Sequence, residues 1–68
     1  MINNLRAWRE QAGLTQVELA KQATVTRQTI ISLERGKYQP SLSLALQLAR
    51  IFNCRVEEIF RLEDEENE

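Results

Sequence analysis

The side chains between Arg27 and Arg35 have the types and the spacing for hydrogen-bonded recognition of a polar surface. Gln28 and Ser32 are four residues apart, so a helix would place them on one face. Arg27 and Ile31 would form a parallel row beside them. Glutamine and serine both donate and accept hydrogen bonds, and arginine donates through a planar fork. Ile31 is apolar in a polar row, which predicts that it meets an apolar group on the ligand.

Catalysis and metal binding are poorly supported by the composition. The chain has 68 residues, no histidine and one cysteine, Cys54. It contains no glycine-rich phosphate loop, no cluster of metal ligands and no nucleophile with a base at a usable spacing. One cysteine excludes an internal disulfide, and we interpret Cys54 as a small buried hydrophobe near the start of a helix. We therefore expect no enzymatic activity, no cofactor and no metal ion.

Two short helical patterns, joined by a turn of about four residues, carry the polar row. The first pattern begins after Thr15, which can form a capping box with Glu18. The second begins after the N-cap Thr26 and ends at Gly36, a residue suited to the left-handed conformation. Small Ala20 would let the two helices approach closely. Because the second helix cannot bury its outer face against the first, that face is left for a ligand.

This pattern, over about residues 16–35, is a helix-turn-helix, which commonly delivers its second, recognition helix into the DNA major groove. It resembles the phage repressor and Cro type, the Xre family of bacterial and archaeal transcription regulators, and the resemblance covers about residues 4–62. The matching segments are residues 14–16, 18–20, 25–30, 33–38 and 40–41, with the LALQLARIF and VEEIF runs. The family usually has glycine where this chain has Thr24. We therefore expect a strained turn there, or one of slightly different geometry.

The resemblance implies an all-α fold for residues 1–62, a compact five-helix bundle of the lambda repressor-like type. Outside the helix-turn-helix, we expect helices over about residues 4–12, 41–52 (N-cap Ser41) and 56–60. The ends of this domain, residues 1–3 and 61–63, could pair as a two-stranded ribbon, as in a few small members of the family. They could equally stay unpaired, since isolated short strands are marginal.

The family also implies a partly buried ion pair between the positions of Arg9 and Glu34. It would tie the first helix to the recognition helix. Each of these charges lies beside the apolar stripe of its helix, and either one alone would be expensive to desolvate. Trp8 belongs to the stripe of the first helix, and we interpret it as a core residue.

Charge divides unevenly along the chain. The whole chain has a net charge of −1, but residues 63–68 hold five acids and no base. Residues 1–62 hold nine basic and five acidic side chains, a net charge of +4. A modestly basic body is typical of nucleic-acid binding. We interpret residues 63–68 as a disordered acidic tail that favours solubility.

The resemblance and the free helix face together predict a site for double-stranded DNA. The residues assigned to base reading are Arg27, Gln28, Ile31 and Ser32. Those assigned to phosphate binding are Gln16, Thr26, Arg35, Lys37 and Tyr38. Gln28 can form the two hydrogen bonds that match adenine, and Ile31 can contact a thymine methyl group. For Arg27, guanine and phosphate both remain open.

The fourth helical pattern is apolar over more of its circumference than one small core requires. We interpret the excess as a homodimer interface formed by Leu44, Leu48, Ile51 and Phe60. A two-fold dimer would hold its recognition helices about 34 Å apart, one turn of DNA, and would bind an inverted repeat.

Two classes of function are compatible with these features. The first is a sequence-specific transcription regulator, a repressor by family analogy. The second is a DNA-binding antitoxin or another protein-interaction module. About six residues follow the bundle, which is short for a toxin-binding segment and favours the regulator. No run of about 18 apolar residues and no signal-peptide pattern occur. We therefore expect no membrane contact and a cytoplasmic protein, associated with the nucleoid when it is bound to DNA.

Overall fold

The computed structural model describes residues 2–37 and 39–62, and in these ranges it confirms the five-helix, all-α fold. The elements in chain order are β1 (Ile2–Asn3), α1 (Leu5–Gln11), α2 (Gln16–Ala23), α3 (Arg27–Glu34), α4 (Leu42–Phe52), α5 (Val56–Ile59) and β2 (Phe60–Arg61). Within the described ranges, no helix is long and apolar enough to cross a lipid bilayer. The acidic tail predicted at residues 63–68 lies outside the described residues.

The two strands pair as an antiparallel ribbon, with Ile2 opposite Arg61 and Asn3 opposite Phe60. Of the two alternatives for the ends of the domain, the ribbon is therefore confirmed. Its second strand begins one residue earlier than expected because α5 ends at Ile59 and the backbone of Phe60 is already extended, with φ −124° and ψ 134°. The side-chain amide of Asn3 also donates to the carbonyl oxygen of Leu33 at 3.0 Å. The ribbon thus contacts the last turn of α3 as well as joining α1 to α5.

Apolar side chains from all five helices and β2 form one core. Its buried members are Leu5, Leu19, Ala20, Ala23, Ile30, Leu33, Leu44, Ala45, Leu48, Ala49, Ile59 and Phe60. Trp8 packs against this core, with its ring centroid 6.0 Å from that of Phe52. The indole Nε1 donates to the carbonyl oxygen of Glu58 at 3.1 Å. Because Trp8 joins α1 to α4 and α5 in this way, it is partly buried at the edge of the core, which agrees with its predicted role in packing.

The orientation of α4 corrects the predicted dimer interface. Leu44, Leu48 and Phe60 are buried in the core of the chain itself, and Leu48 has no exposed surface. Ile51 is half-buried against the same core. The physical reason is that α4 contacts both α2 and α5. Its apolar surface is therefore covered from two sides, and these side chains are already used within the monomer.

Two other leucines of α4 are exposed instead. Leu42 is 74% exposed and Leu46 is 54% exposed. They lie one helical turn apart along a shallow groove of about 690 Å³, which Ser43, Gln47 and Arg50 also line. This pair is the part of the apolar surface of α4 that the core leaves uncovered.

Side-chain caps fix the starts of α2, α3 and α4. Thr15 Oγ1 accepts a hydrogen bond from the Glu18 backbone at 3.0 Å, and the Glu18 carboxylate accepts from the Thr15 backbone at 2.8 Å. Thr26 Oγ1 caps α3 by accepting a hydrogen bond from the backbone N–H of Thr29 at 3.2 Å. Ser41 Oγ caps α4 in the same way, accepting from the backbone N–H of Leu44 at 3.1 Å. All three predicted caps are confirmed.

The turn between α2 and α3 closes around Thr24, which has φ 60° and ψ 43°. The N–H of Thr24 donates to Lys21 at 3.2 Å, and the N–H of Val25 donates to Ala20 at 3.0 Å. The end of α3 at Gly36, with φ 70°, closes with an equivalent pair of hydrogen bonds. Glycine adopts this conformation without a steric penalty, whereas a β-branched residue does not. The predicted strain therefore lies at Thr24, in a turn of the ordinary geometry.

Candidate nucleic-acid interface

The outer face of α3 carries the four side chains assigned to base reading. Arg27 and Gln28 are exposed, and Ile31 and Ser32 are half-buried. The opposite face of the helix packs into the core. The structure therefore brings the four side chains together on one accessible surface. Their contact with bases stays a prediction.

Beside this face lies an open cleft of about 560 Å³ between α1, the start of α2 and α3. Its lining residues are Arg6, Arg9, Thr15, Gln16, Arg27, Ile31, Glu34 and Arg35. Four guanidinium groups and one carboxylate thus surround the cleft. An excess of positive charge in a concave site raises the local concentration of anions. The cleft joins predicted base-reading and phosphate-binding residues in one continuous basic surface.

The expected ion pair between Arg9 and Glu34 is present at the base of the cleft. Arg9 Nε lies 2.6 Å from Glu34 Oε2, and Arg9 Nη2 donates to Glu34 Oε1 at 3.4 Å. These side chains are 12% and 6% exposed. Arg9 Nη1 also donates to the carbonyl oxygen of Leu14 at 2.9 Å, and Gln16 Nε2 donates to Glu34 Oε1 at 3.2 Å. This network fixes α1, the start of α2 and α3 relative to one another.

Gln16 is the first residue of α2 and faces the cleft. The first backbone N–H groups of a helix have no partner inside the helix, and the dipole makes this end positive. Both properties favour phosphate near Gln16. Its side-chain amide keeps a second N–H beyond the one given to Glu34, because an amide nitrogen carries two hydrogens. The Gln16 amide is therefore held in place and can still donate to a ligand.

The other described residues assigned to phosphate binding, Thr26, Arg35 and Lys37, lie at or just beyond the two ends of α3. Thr26 Oγ1 accepts the capping hydrogen bond and lies 3.0 Å from Thr29 Oγ1, so a contact with phosphate would have to use its hydroxyl proton. Arg35 and Lys37 are exposed. Tyr38 lies outside the described residues. Phosphate contacts remain a prediction for this whole set.

Arg6 is a residue of the cleft that the sequence reasoning did not single out. It lines the cleft from α1, and its side chain is 72% exposed. Glu10, one turn later, accepts from Arg6 Nε at 3.0 Å, and this hydrogen bond and the carboxylate charge raise the pKa of Arg6. The spacing of three residues between Arg6 and Arg9 was the available signal, because it places both on neighbouring positions of one helix face.

The described residues offer little to a metal ion or a nucleophilic mechanism. Within residues 2–37 and 39–62, no group of three or more His, Cys, Asp or Glu side chains is close enough to hold a metal ion. Cys54 is half-buried and packs against the core. Burial, and secondly the charge of Glu58, raise the pKa of the Cys54 thiol. Near neutral pH this cysteine is therefore held in its neutral, weakly nucleophilic form.

The sequence of this chain is similar to those of known helix-turn-helix proteins. A helix-turn-helix family model matches residues 5–59, which include all five helices. An HTH-type transcriptional regulator of Archaeoglobus fulgidus is 52% identical over 66 residues, which cover 97% of this chain and 94% of that protein. A second HTH-type transcriptional regulator, from Methanocaldococcus jannaschii, is 50% identical over 66 residues, which cover 97% of this chain and 100% of that protein.

A phage protein is a more distant relative. The immunity repressor protein of Bacillus phage phi105 is 36% identical over 55 residues, which cover 81% of this chain and 38% of the phage protein. The family match spans most of the chain, and the archaeal relatives match it nearly from end to end. The chain therefore belongs to the Xre-type helix-turn-helix family of DNA-binding transcription regulators, which is not an enzyme family.

Proposed function

We propose that this protein represses transcription by binding, as a homodimer, an inverted-repeat operator in double-stranded DNA. We propose that it has no enzymatic activity of its own. The observation that carries the proposal is the accessible face of α3 beside a cleft lined by four arginines. Repression is favoured over activation because one relative is an immunity repressor protein. The protein would act in the cytoplasm, in association with the nucleoid.

The proposal assigns sequence reading to the middle of α3. Gln28 is exposed near the start of the helix, where its amide can pair with the major-groove edge of adenine. Ile31 keeps part of its apolar surface accessible, which suits a thymine methyl group. Ser32 lies one turn after Gln28 and can donate or accept. Arg27 lines the cleft, which favours phosphate over guanine as its partner.

Phosphate contacts would position α3 in the groove. Gln16, with the N-terminal end of α2, would hold one phosphate, and Arg35 and Lys37 would hold phosphates beyond the other end of α3. Thr26 and Tyr38 complete the proposed set. Such contacts fix the register of a protein on the duplex without reading sequence.

The homodimer needs a surface that the core has not already used. We assign it to Leu42 and Leu46 of α4, which are the exposed leucines of the helix predicted to dimerise. A second copy of the chain is the proposed occupant, since an interface with two-fold symmetry brings the same patch of each copy together. Burying this pair would remove apolar surface from water in both copies.

The test is selection of bound sequences from a random pool of duplex DNA with the full chain. The expected result is enrichment of an inverted repeat whose half-sites are centred about 10 base pairs apart. Enrichment of a single half-site without its repeat would contradict the dimer, and recovery of no enriched sequence would contradict the proposed function. A reporter gene under the selected sequence should then lose expression when the protein is present.

A further inference from the structure

Arg6, which lines the cleft from α1, forms an exposed ion pair with Glu10 of the same helix. Arg6 and Glu10 are 72% and 55% exposed, and Arg6 Nε lies 3.0 Å from Glu10 Oε2. The same carboxylate oxygen lies 4.0 Å from Arg9 Nη2. Arg9 already has Glu34 as a buried partner at the base of the cleft. Glu10 is therefore a second carboxylate, and its main partner is the exposed guanidinium of Arg6.

The position of Arg6 in the basic cleft suits binding of a phosphate group. Arg6 lines the cleft from α1, while Arg27 and Arg35 line it from α3. Gln16, the first residue of α2, lines the same cleft. A phosphate chain that follows the outer face of α3 past the start of α2 would therefore continue toward Arg6. Arginine is suited to this contact because its planar fork matches two phosphate oxygens.

We propose that α1 extends the DNA-binding surface through Arg6, and that Glu10 competes with a backbone phosphate of double-stranded DNA for the Arg6 guanidinium. This inference rests on the proposed function, because it needs duplex DNA along α3. Exposed ion pairs contribute little to stability, so exchanging the carboxylate for a phosphate costs the fold little. Arg6 contacts no base in this arrangement. The pair therefore sets the affinity for all sequences alike and leaves the choice of operator to α3.

The test compares variants that remove the charge of Arg6 or Glu10 with matched variants at α5. Arg55, the N-cap residue of α5, is also an exposed arginine, and its Nε lies 3.7 Å from Oε2 of Glu58 on that helix; neither residue lines the cleft. Arg6→Gln and Arg55→Gln thus remove the same charge at different places. Glu10→Gln is matched by Glu57→Gln, which is exposed on α5. Affinity for a duplex of scrambled sequence is measured for each variant over a series of salt concentrations.

Arg6→Gln should flatten the slope of log affinity against log salt by about 0.9, the value for one lost phosphate contact, and Arg55→Gln should flatten it much less. Glu10→Gln should tighten binding about twofold to fivefold more than Glu57→Gln, the range expected for one exposed ion pair. The gain from Glu10→Gln should shrink when Arg6→Gln is also present, because the competition acts through Arg6. Circular dichroism melts of all variants should match the native chain.

Equal slopes for Arg6→Gln and Arg55→Gln would overturn the contact while leaving the proposed function intact. Weaker or unchanged binding in Glu10→Gln would overturn the competition. The competition would also be overturned if Glu10→Gln tightened DNA binding equally in the native chain and in Arg6→Gln, because Glu10 would then only repel DNA directly. If the native chain bound no duplex at all, the proposed function would fail instead. The two failures are therefore distinguishable.

Discussion

Gln28 illustrates how a single side chain could separate specificity from affinity. It is exposed on α3, and its side chain has no hydrogen-bond partner among those found in the described residues. The neighbouring phosphate-binding candidates are held differently: Gln16 donates to Glu34, and Thr26 caps its helix. A free amide at the helix surface can satisfy its donors and acceptor on a base at no cost to the protein fold.

Gln28→Ala should therefore weaken binding to the selected operator by about 1–3 kcal/mol and relax the preference at one base pair in each half-site. Binding to scrambled DNA and thermal stability should change little, because the Gln28 side chain makes no hydrogen bond within residues 2–37 and 39–62 that the substitution would remove. Fluorescence anisotropy with both duplexes measures the two affinities. Gln22→Ala, at an exposed glutamine of α2 that lines neither the cleft nor the α4 groove, is the control. Equal losses on both duplexes would identify Gln28 as a backbone contact.

Thr24 is the residue at which the local sequence and the required backbone disagree. Its φ of 60° closes α2 in the manner of a glycine, although it is β-branched. Asn53 has φ 55° at the end of α4, and asparagine tolerates this region better. The two positions have the same backbone conformation but different strain.

Thr24→Gly should raise stability by about 1 kcal/mol, since relief of left-handed strain exceeds the added backbone entropy of the unfolded chain. For a domain of this size the melting temperature should rise by about 4–8 °C. Asn53→Gly should change it far less. A thermal melt followed by circular dichroism gives both values, and a lower melting temperature for Thr24→Gly would show that the turn is not strained.

At the scale of elements, the Arg9–Glu34 network does more than join two charges. It connects α1 with α3, and Gln16 adds the first residue of α2 to the same carboxylate. The exposed pair Arg6–Glu10 lies on one helix and joins no second element. Although both are arginine–glutamate pairs, only the partly buried one of these two holds α1, the start of α2 and α3 in a fixed geometry.

Glu34→Ala should cost about 3 kcal/mol of stability, because it leaves the Arg9 charge partly buried without its partner. Glu10→Ala, at the exposed pair, should cost less than about 1 kcal/mol. The double variant Arg9→Met with Glu34→Leu should recover part of the loss, since no unpaired charge remains. Urea denaturation measures all three, and similar costs for Glu34→Ala and Glu10→Ala would contradict the role of burial.

Local features explain why the sequence predicts the helix starts so well. The caps Thr15, Thr26 and Ser41 act on residues three positions away, so all the information lies in one turn of chain. The family resemblance supplied the longer-range pair Arg9–Glu34. The rotation of α4 has no such local signal. Which of its leucines are buried depends on where α2 and α5 pack, so the sequence pattern of α4 alone does not separate Leu44 and Leu48 from the exposed Leu42 and Leu46.

At the scale of the whole molecule, the interface proposed at Leu42 and Leu46 leads to a direct test of the proposed dimer. Leu42 and Leu46 can accept a charge without disturbing the core, whereas Leu48 cannot. Leu46→Glu should abolish dimers while the chain stays folded. Leu48→Glu should unfold the chain, because it places an unpaired charge in the core. Sedimentation equilibrium and circular dichroism measure mass and folding.

The control for added charge is Gln22→Glu, at an exposed position of α2. It should leave the dimer constant unchanged. A folded Leu46→Glu that dimerises as well as the native chain would remove α4 from the interface. A native chain that stays monomeric at tens of micromolar, both free and on the selected operator, would contradict the homodimer altogether.

The ribbon has a consequence for the order in which the molecule assembles and opens. It pairs Asn3 with Phe60, 57 positions apart, whereas the turns of the helix-turn-helix join neighbours in the chain. Closing so long a loop costs more entropy than forming a helical turn, so the ribbon should form after the helices have packed and separate before they come apart. Because Asn3 also donates to Leu33, each such opening removes a hydrogen bond from the end of α3. In kinetic terms, the recognition helix would lose a restraint whenever the two ends of the domain part.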